Sequence, residues 1–380
     1  MAAPRQSRPK RRFPISLAMI VRDEEATLAR CLASVQGLVD EIVVVDTGST
    51  DRTVQIAQEY GAKVHRFEWI DDFAAARNFS LAKTTHPWRL VLDADEWLAD
   101  RPAAADLLDQ IGQTAPSFLG SIDMLQSRAD GTLNYATVPT PLIRLLPRQC
   151  SFEGRVHEQP TPEIRGVRIG LLVGHDGYSK EALNRKEGRN SSLLAAALEA
   201  DPSNAYYWYQ LGCEFFTRGR YEEAAPYLIQ AYNLLHPEQP GDQKPGQSNW
   251  WHRIAVRLVL TLNALGRHEE AVTLGEIEAA AWPESSDFFY VFGCAVRGLA
   301  LSLRERDKKR AEDLMLSSMG LWIQAVELGD QQKYAGLLKQ RATVMAARLV
   351  AKDYRTLGNE PEAQRYQAIV DTAEDAVLSA

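Results

Sequence analysis

Three apolar runs, ISLAMIV (15–21), EIVVVD (41–46) and WRLVL (88–92), constrain this chain more than any other feature, because each ends abruptly in polar and acidic residues. Strands so uniformly apolar must be covered on both faces, which points to a mostly parallel sheet rather than an open antiparallel one. Between the runs the spacing is helical. Leu28, Cys31, Leu32 and Val35 mark one face, and Val54, Ala57 and Tyr60 another after the cap-rich turn TGSTD (47–51). A third strand fits 62–69 and a further helix Phe73–Lys83. The alternation predicts an α/β layer structure with helices on both sides of the sheet.

Sheets of this kind bind ligands beyond the carboxyl ends of their strands. Those ends carry the chemistry here. The first supplies Val21, Arg22, Asp23 and Glu24, the second Asp46, Gly48, Ser49 and Asp51, and the last the stretch VLDADEWL with Asp93, Asp95 and Glu96. If that stretch is extended, Asp93 and Asp95 project to the same side while Ala94 faces away. Two carboxylates so placed repel unless something positive separates them, and a divalent cation is the natural candidate. Neither G-x-G-x-x-G nor G-x-x-x-x-G-K-[ST] occurs, so a dinucleotide fingerprint and a P-loop are both excluded.

From about residue 184 the pattern turns entirely helical. Trp208, Leu211, Gly212, Phe215, Tyr221, Ala224, Leu228 and Ala231 follow the tetratricopeptide pattern. A second copy runs from Trp250 through Leu258, Leu262, Gly266, Ala271 and Pro283, and weaker copies involve Phe292, Gly293 and Ala311, then Leu357, Gly358 and Ala363. Three to four helix pairs are expected over 184–380, interrupted by the insert at 237–247. They would serve as a packing and dimerisation module or as a concave binding surface. A length of 380 residues suits two such domains.

The net charge of −7 argues against a nucleic-acid binder. Arg5, Arg8, Lys10, Arg11 and Arg12 concentrate in residues 1–13, which read as a solvated basic tail. The apolar run after the tail lacks a small-residue cleavage site and reads as a strand, and no run approaches the roughly 18 apolar residues of a membrane span. Cys31, Cys150, Cys213 and Cys294 lie far apart without a C-x-x-C pair, the usage of reduced thiols in a cytoplasmic protein.

In order along the chain, ISLAMIVRDEEATLARCLAS, VDEIVVVDTGSTDRT, AAARNFSLA and LVLDADE resemble the nucleotide-sugar glycosyltransferases of family 2, which have the GT-A fold. FEGRVHEQP and GHDGY, followed by the repeats, look like the bacterial branch that includes bacteriocin peptide S-glycosyltransferases. The resemblance covers roughly 14–183 and implies a soluble, metal-dependent, inverting hexosyltransferase. It would use a UDP-sugar donor and a peptide, protein or glycan acceptor.

The same resemblance implies roles for particular residues. Asp46 would accept from N3–H of a uracil-type base, with Val21, Arg22, Glu24 and Ser49 around the base and ribose. Arg77 would reach the nucleoside or diphosphate, Asp93 and Ala94 the uridine end. Asp95 and His175 would hold Mg²⁺ or Mn²⁺ against the diphosphate. Glu158 is the implied base, with Glu153 in reserve and His157 shaping the acceptor side. Asp51 fits a helix cap as well as a ligand. The Q-x-x-R-W motif of processive relatives is missing, which argues against a membrane-embedded polymerase. The competing readings are a repeat scaffold carrying a degenerate nucleotide domain, and a nucleotidyltransferase, for which no lysine-rich phosphate loop is present.

Overall fold

The computed structural model describes residues 10–128, 131–134, 139–162, 164–176, 188–235, 249–329, 338 and 341–378. Two compact units emerge, Met1–Leu193 and Leu194–Ala380. The expected boundary at 183/184, Arg5 and Arg8 of the basic tail, and the 237–247 insert all lie outside the described residues.

In the first unit β1 (Ile15–Val21), α1 (Leu28–Val35), β2 (Glu41–Asp46), α2 (Thr53–Glu59), β3 (Lys63–Arg66), α3 (Phe73–Lys83) and β4 (Trp88–Val91) alternate as the apolar runs require. They are followed by β5 (Glu96–Leu98), α4 (Arg101–Ile111), β6 (Leu119–Gln126), β7 (Thr140–Pro147), β8 (Ser151–Glu153), β9 (Gln159–Thr161) and β10 (Gly166–His175). The main sheet has the order β3-β2-β1-β4-β7-β6-β10-β5, and β8 pairs with β9 separately. β3, β2, β1 and β4 are mutually parallel, as are β6 and β10, whereas β7 and β5 run antiparallel to their neighbours. The two-residue period of β1 places Ile15, Leu17 and Met19 in one cluster with Leu28, Leu32, Ile56 and Leu108. Ala18, pointing the other way, packs with Ala74, Leu81, Val91 and Phe152.

Two details depart from the sequence reading. The third strand stops at Arg66 rather than Trp69. Beyond it the Trp69 indole N–H donates to Asp71 Oδ1 at 2.8 Å, Asp71 has a left-handed φ of 56°, and Asp72 caps α3 by accepting from Ala75 N. This tight turn leaves no room for an extended backbone. Arg11, assigned to the solvated tail, is only 8% exposed. Its guanidinium donates to Asp109 Oδ1, Asp40 Oδ2 and Leu38 O at 2.7–3.0 Å, so its charge is compensated where it is buried.

At the opposite edge of the strands from their carboxyl ends, Glu41 is buried and accepts from Ser16 Oγ, Lys63 Nζ, Thr85 N and Thr85 Oγ1. Burial pushes its carboxyl upward, but these donors outweigh it and bring the pKa down to about 2. A depressed carboxylate contributes stability above its unfolded value of 4.5, lost as pH falls from there through the folded value. Glu41→Gln is expected to cost about 1–3 kcal/mol at neutral pH and to flatten the loss of stability below pH 4.5, read by denaturant titrations at several pH values.

The second unit is helical. α5 (Arg189–Ala200) crosses the division between the units and is followed by the pairs α6 (Ala205–Phe216) and α7 (Tyr221–Leu235), α8 (Asn249–Ala264) and α9 (His268–Glu278), α10 (Ser286–Leu303) and α11 (Lys308–Leu328), and α12 (Ala342–Thr356) and α13 (Glu360–Leu378). The Trp250 side chain is outside the described residues. Glycines that looked equivalent in sequence play two parts. Gly266 and Gly358, like Gly219, which the repeat pattern did not single out, lie in turns at φ of 71–74°, the left-handed conformation that ends a helix. Gly212 and Gly293 sit inside helices, where a Cβ would lie 2.7 Å from Leu228 Cδ2 and 2.5 Å from Trp322 Nε1 respectively. The expected equivalence of Gly266 and Gly358 with Gly212 is thus corrected.

Helix α10 also revises the membrane reading, since Ser286–Leu303 has the length and a mean hydropathy, 1.3, sufficient to cross a bilayer. Here it is a core helix. Phe288, Val291, Phe292, Ala295 and Leu299 are buried among neighbouring helices, and Arg297 pairs with Asp353. Gly293→Ala is expected to destabilise the protein by about 1–3 kcal/mol through overpacking against Trp322. Gly320→Ala in α11, where nothing lies within 4 Å of the added methyl, is expected to be neutral or stabilising by up to about 1 kcal/mol. Thermal melts of the two variants check the contrast.

Candidate active site

A cavity opens at the carboxyl ends of the parallel strands. The end of β1 contributes Ile20, Val21, Arg22 and Glu24, the residue after β2 Thr47, the end of β4 Asp93, Ala94 and Asp95, and the end of β10 His175. Trp69, Phe73 and Arg77 complete it from the β3–α3 connection and α3. The loops after β1 and β2 are tied together by side chains. Asp23 Oδ1 accepts from Thr50 N, Thr53 Oγ1 from Glu24 N, Asp51 Oδ2 from Glu25 N and Ser49 Oγ from Asp23 N. Asp51 therefore secures a loop. Asp46, 4% exposed, accepts from Gly48 N and Ser49 N and is not part of the cavity lining; Ser49 is not either.

The three acids of DADEWL do not converge. A turn closed by Glu96 N donating to Asp93 O at 3.0 Å replaces the expected extended segment, directing Asp93 and Glu96 to arginines and Asp95 toward His175. Asp93 Oδ1 accepts from Arg77 Nη2 and its Oδ2 from Arg144 Nη2, each at 2.8 Å. Arg144 Nη2 also donates to Glu96 Oε1, and Glu96 Oε2 accepts from Asp93 N. Burial pushes the Asp93 carboxyl up, but Arg77 and Arg144 override this and hold it far below the usual carboxylate range. Glu96, 1% exposed, goes the other way, raised by burial and by the nearby Asp93 charge against the pull of Arg144. Burial, with the Glu96, Asp93 and Asp95 charges, likewise keeps Cys31 a thiol.

Asp95 faces His175 instead, with Oδ2 3.4 Å from Nε2. Strand register places His175 beside Gln126 of β6 and Glu96 of β5. His175 Nδ1 lies 2.9 Å from Gln126 Oε1, a contact that orients the ring with Nε2 toward Asp95. One carboxylate and one imidazole suit a Mg²⁺ or Mn²⁺ ion that takes its other ligands from phosphate oxygens and water. Among the described residues no group of three or more His, Cys, Asp or Glu side chains forms a closed protein cage.

Arg77 is 6% exposed and spends two of its three nitrogens on acids, Nη2 on Asp93 and Nε on Glu158. Nη1 is buried without a hydrogen-bond partner among the described residues. Of the acceptor-side candidates, Glu158 is thus held by Arg77, Glu153 lies exposed on β8, and His157 has a left-handed φ of 55°. None of the three lines the cavity. The segment carrying them docks on α3. Asn78 exchanges two bonds with the Phe152 backbone, and Phe73 N donates to Arg155 O. Arg144, Gln126, Thr47, Trp69 and Phe73 escaped the sequence reading. Only the aromatic pair had a local signal, the EWIDDF turn ahead of a helix.

The fold and site define a two-part class, an α/β unit with a cavity at its strand ends and a set of tetratricopeptide-like helix pairs. The comparisons agree with both parts. Residues 16–146 match the family model for glycosyl transferase family 2. It is 36% identical over 244 residues to a TPR repeat-containing protein of Synechococcus elongatus, covering 59% of this chain and 58% of that protein. It is 28% identical over 228 residues to the SPbeta prophage-derived glycosyltransferase SunS of Bacillus subtilis, covering 58% and 53%. The chain thus spans little more than half the length of these curated relatives. A solved structure of glucosyl-3-phosphoglycerate synthase from Mycobacterium tuberculosis, in complex with Mn²⁺, UDP and glucosyl-3-phosphoglycerate, is 25% identical over 31% of this chain and 45% of its own, with a TM-score of 0.26.

Removing Arg144 would leave the half-buried Asp93 and the buried Glu96 without their shared partner. Arg144→Met is expected to cost about 3–5 kcal/mol. Urea unfolding of this variant against the wild type provides the measurement.

Proposed function

We propose that this chain is a cytoplasmic, metal-dependent glycosyltransferase that moves a sugar, with inversion, from a UDP-sugar to a peptide, protein or glycan acceptor. The observation that carries this reading is Arg77, a buried guanidinium with a spare Nη1 in the same cavity wall as the Asp95–His175 pair. A cationic donor beside a two-ligand metal site suits the diphosphate of a nucleotide sugar, whose negative charge grows as the sugar leaves. The family 2 match over 16–146 supports the same chemistry.

Asp95 and His175 would hold the cation, and a bound Mg²⁺ or Mn²⁺ would neutralise the departing diphosphate. Arg77 would stabilise the same charge from the other side, its geometry set by two carboxylates before the donor arrives. Val21, Arg22 and Glu24 at the end of β1 would contact the nucleoside. Trp69 and Phe73, with ring centroids 4.8 Å apart in an edge-on arrangement, form an apolar wall that excludes water from the donor. The acceptor would approach from the side of the 151–161 segment.

Incubation with a panel of nucleotide sugars and Mn²⁺ is expected to release UDP from at least one donor, and release of none would reject the proposal. Asp95→Ala is expected to lower that release about a hundredfold or more, since the cation supplies several kcal/mol of charge stabilisation. Its melting temperature should stay near that of the wild type, and wild-type turnover in this variant would remove the metal from the mechanism.

A further inference from the structure

We propose that Glu158 is a positioning residue for Arg77 and not the group that takes the acceptor's proton. The inference rests on the functional reading above, since it needs a diphosphate to be bound. A guanidinium presents its donors in one plane, so fixing two nitrogens fixes the direction of the third. Asp93 takes Nη2 and Glu158 takes Nε, leaving Nη1 buried and without a partner among the described residues, on a side chain that lines the cavity.

Glu158 itself is outside the cavity lining, and its side chain is only 12% exposed. Its backbone belongs to the segment anchored on α3 through Asn78 and through Phe73 N. The Phe152 ring of that segment lies 5.8 Å from the Arg77 guanidinium carbon. The same segment therefore delivers both a counter-charge and a ring to one arginine on the neighbouring helix. A proton acceptor must reach the acceptor's reacting atom. A carboxylate outside the cavity lining and paired with a buried guanidinium is instead arranged to aim that guanidinium.

The test compares full-length wild type with Glu158→Gln, Glu158→Ala, Arg77→Gln and the Glu158→Gln/Arg77→Gln double variant. Calorimetry measures the affinity for UDP and for inorganic pyrophosphate with Mn²⁺, and for uridine alone. Circular dichroism verifies folding. The expected result is a tenfold or greater loss of UDP and pyrophosphate affinity in both Glu158 variants, unchanged uridine affinity, and no further loss when Glu158→Gln is added to Arg77→Gln. For whichever nucleotide sugar is turned over, the donor KM should rise more than kcat falls. Unchanged pyrophosphate and UDP affinity together with a hundredfold drop in kcat would overturn the inference and return Glu158 to the role of base. A wild-type protein that binds neither UDP nor pyrophosphate would instead reject the donor reading itself, and this inference with it.

Discussion

The arrangement of the site depends on the neutralisation of Asp93 by two arginines. A half-buried carboxylate beside a fully buried acid, Glu96, is stabilised by Arg77 and Arg144, which approach it from different elements, α3 and β7. Coulomb attraction in a low-dielectric interior offsets the large cost of stripping water from each charge, provided the geometry supplies hydrogen bonds as well. It does so at 2.8 Å on both oxygens of Asp93. The pairing locks β4 to β7 and α3 near the cavity, and it takes Asp93 out of competition for a cation. Asp95 is thereby left as the carboxylate that faces His175.

The sheet was legible in the sequence because its strands are local and apolar, and because side-chain alternation along β1 serves both helical layers at once. The cation partners were not. Arg144 lies 51 positions from Asp93 and Gln126 lies 49 from His175, and each is brought into place by strand pairing. No spacing rule along the chain anticipates an antiparallel β7 inserted between β4 and β6. Arg77, Asp95 and His175 could be singled out since a resemblance marked their motifs. Asp46 and Ser49 illustrate the opposite difficulty, because an acid followed by a glycine-containing turn serves equally as a ligand and as a cap for its own loop. Here the turn's own N–H groups claim Asp46.

The repeat region shows the same limit in apolar form. Gly212, Gly266, Gly293 and Gly358 are indistinguishable as letters, yet two relieve crowding between helices and two end a helix in a left-handed turn. The distinction depends on what a neighbouring helix presents, Leu228 or Trp322, which periodicity alone does not encode. Likewise the length and apolarity of α10 satisfy the requirements of a membrane segment and of a central core helix alike. Contacts on several sides, with Arg297 satisfied by Asp353, resolve it as the latter.

The single residue between the two aspartates explains how one short segment serves two purposes. In an extended strand Asp93 and Asp95 would share a side, and both would demand the same counter-charge. The hydrogen bond from Glu96 N to Asp93 O bends the chain there, and Ala94, 4% exposed, is small enough to occupy the inside of the bend. A larger residue at 94 would press on the core beneath and reopen the turn. The bend hands one acid to Arg77 and Arg144 and leaves the other beside an imidazole that Gln126 contacts from its far side. Within four residues the geometry thus gives Asp93 and Glu96 to the arginines and leaves Asp95 facing His175 in the cavity lining.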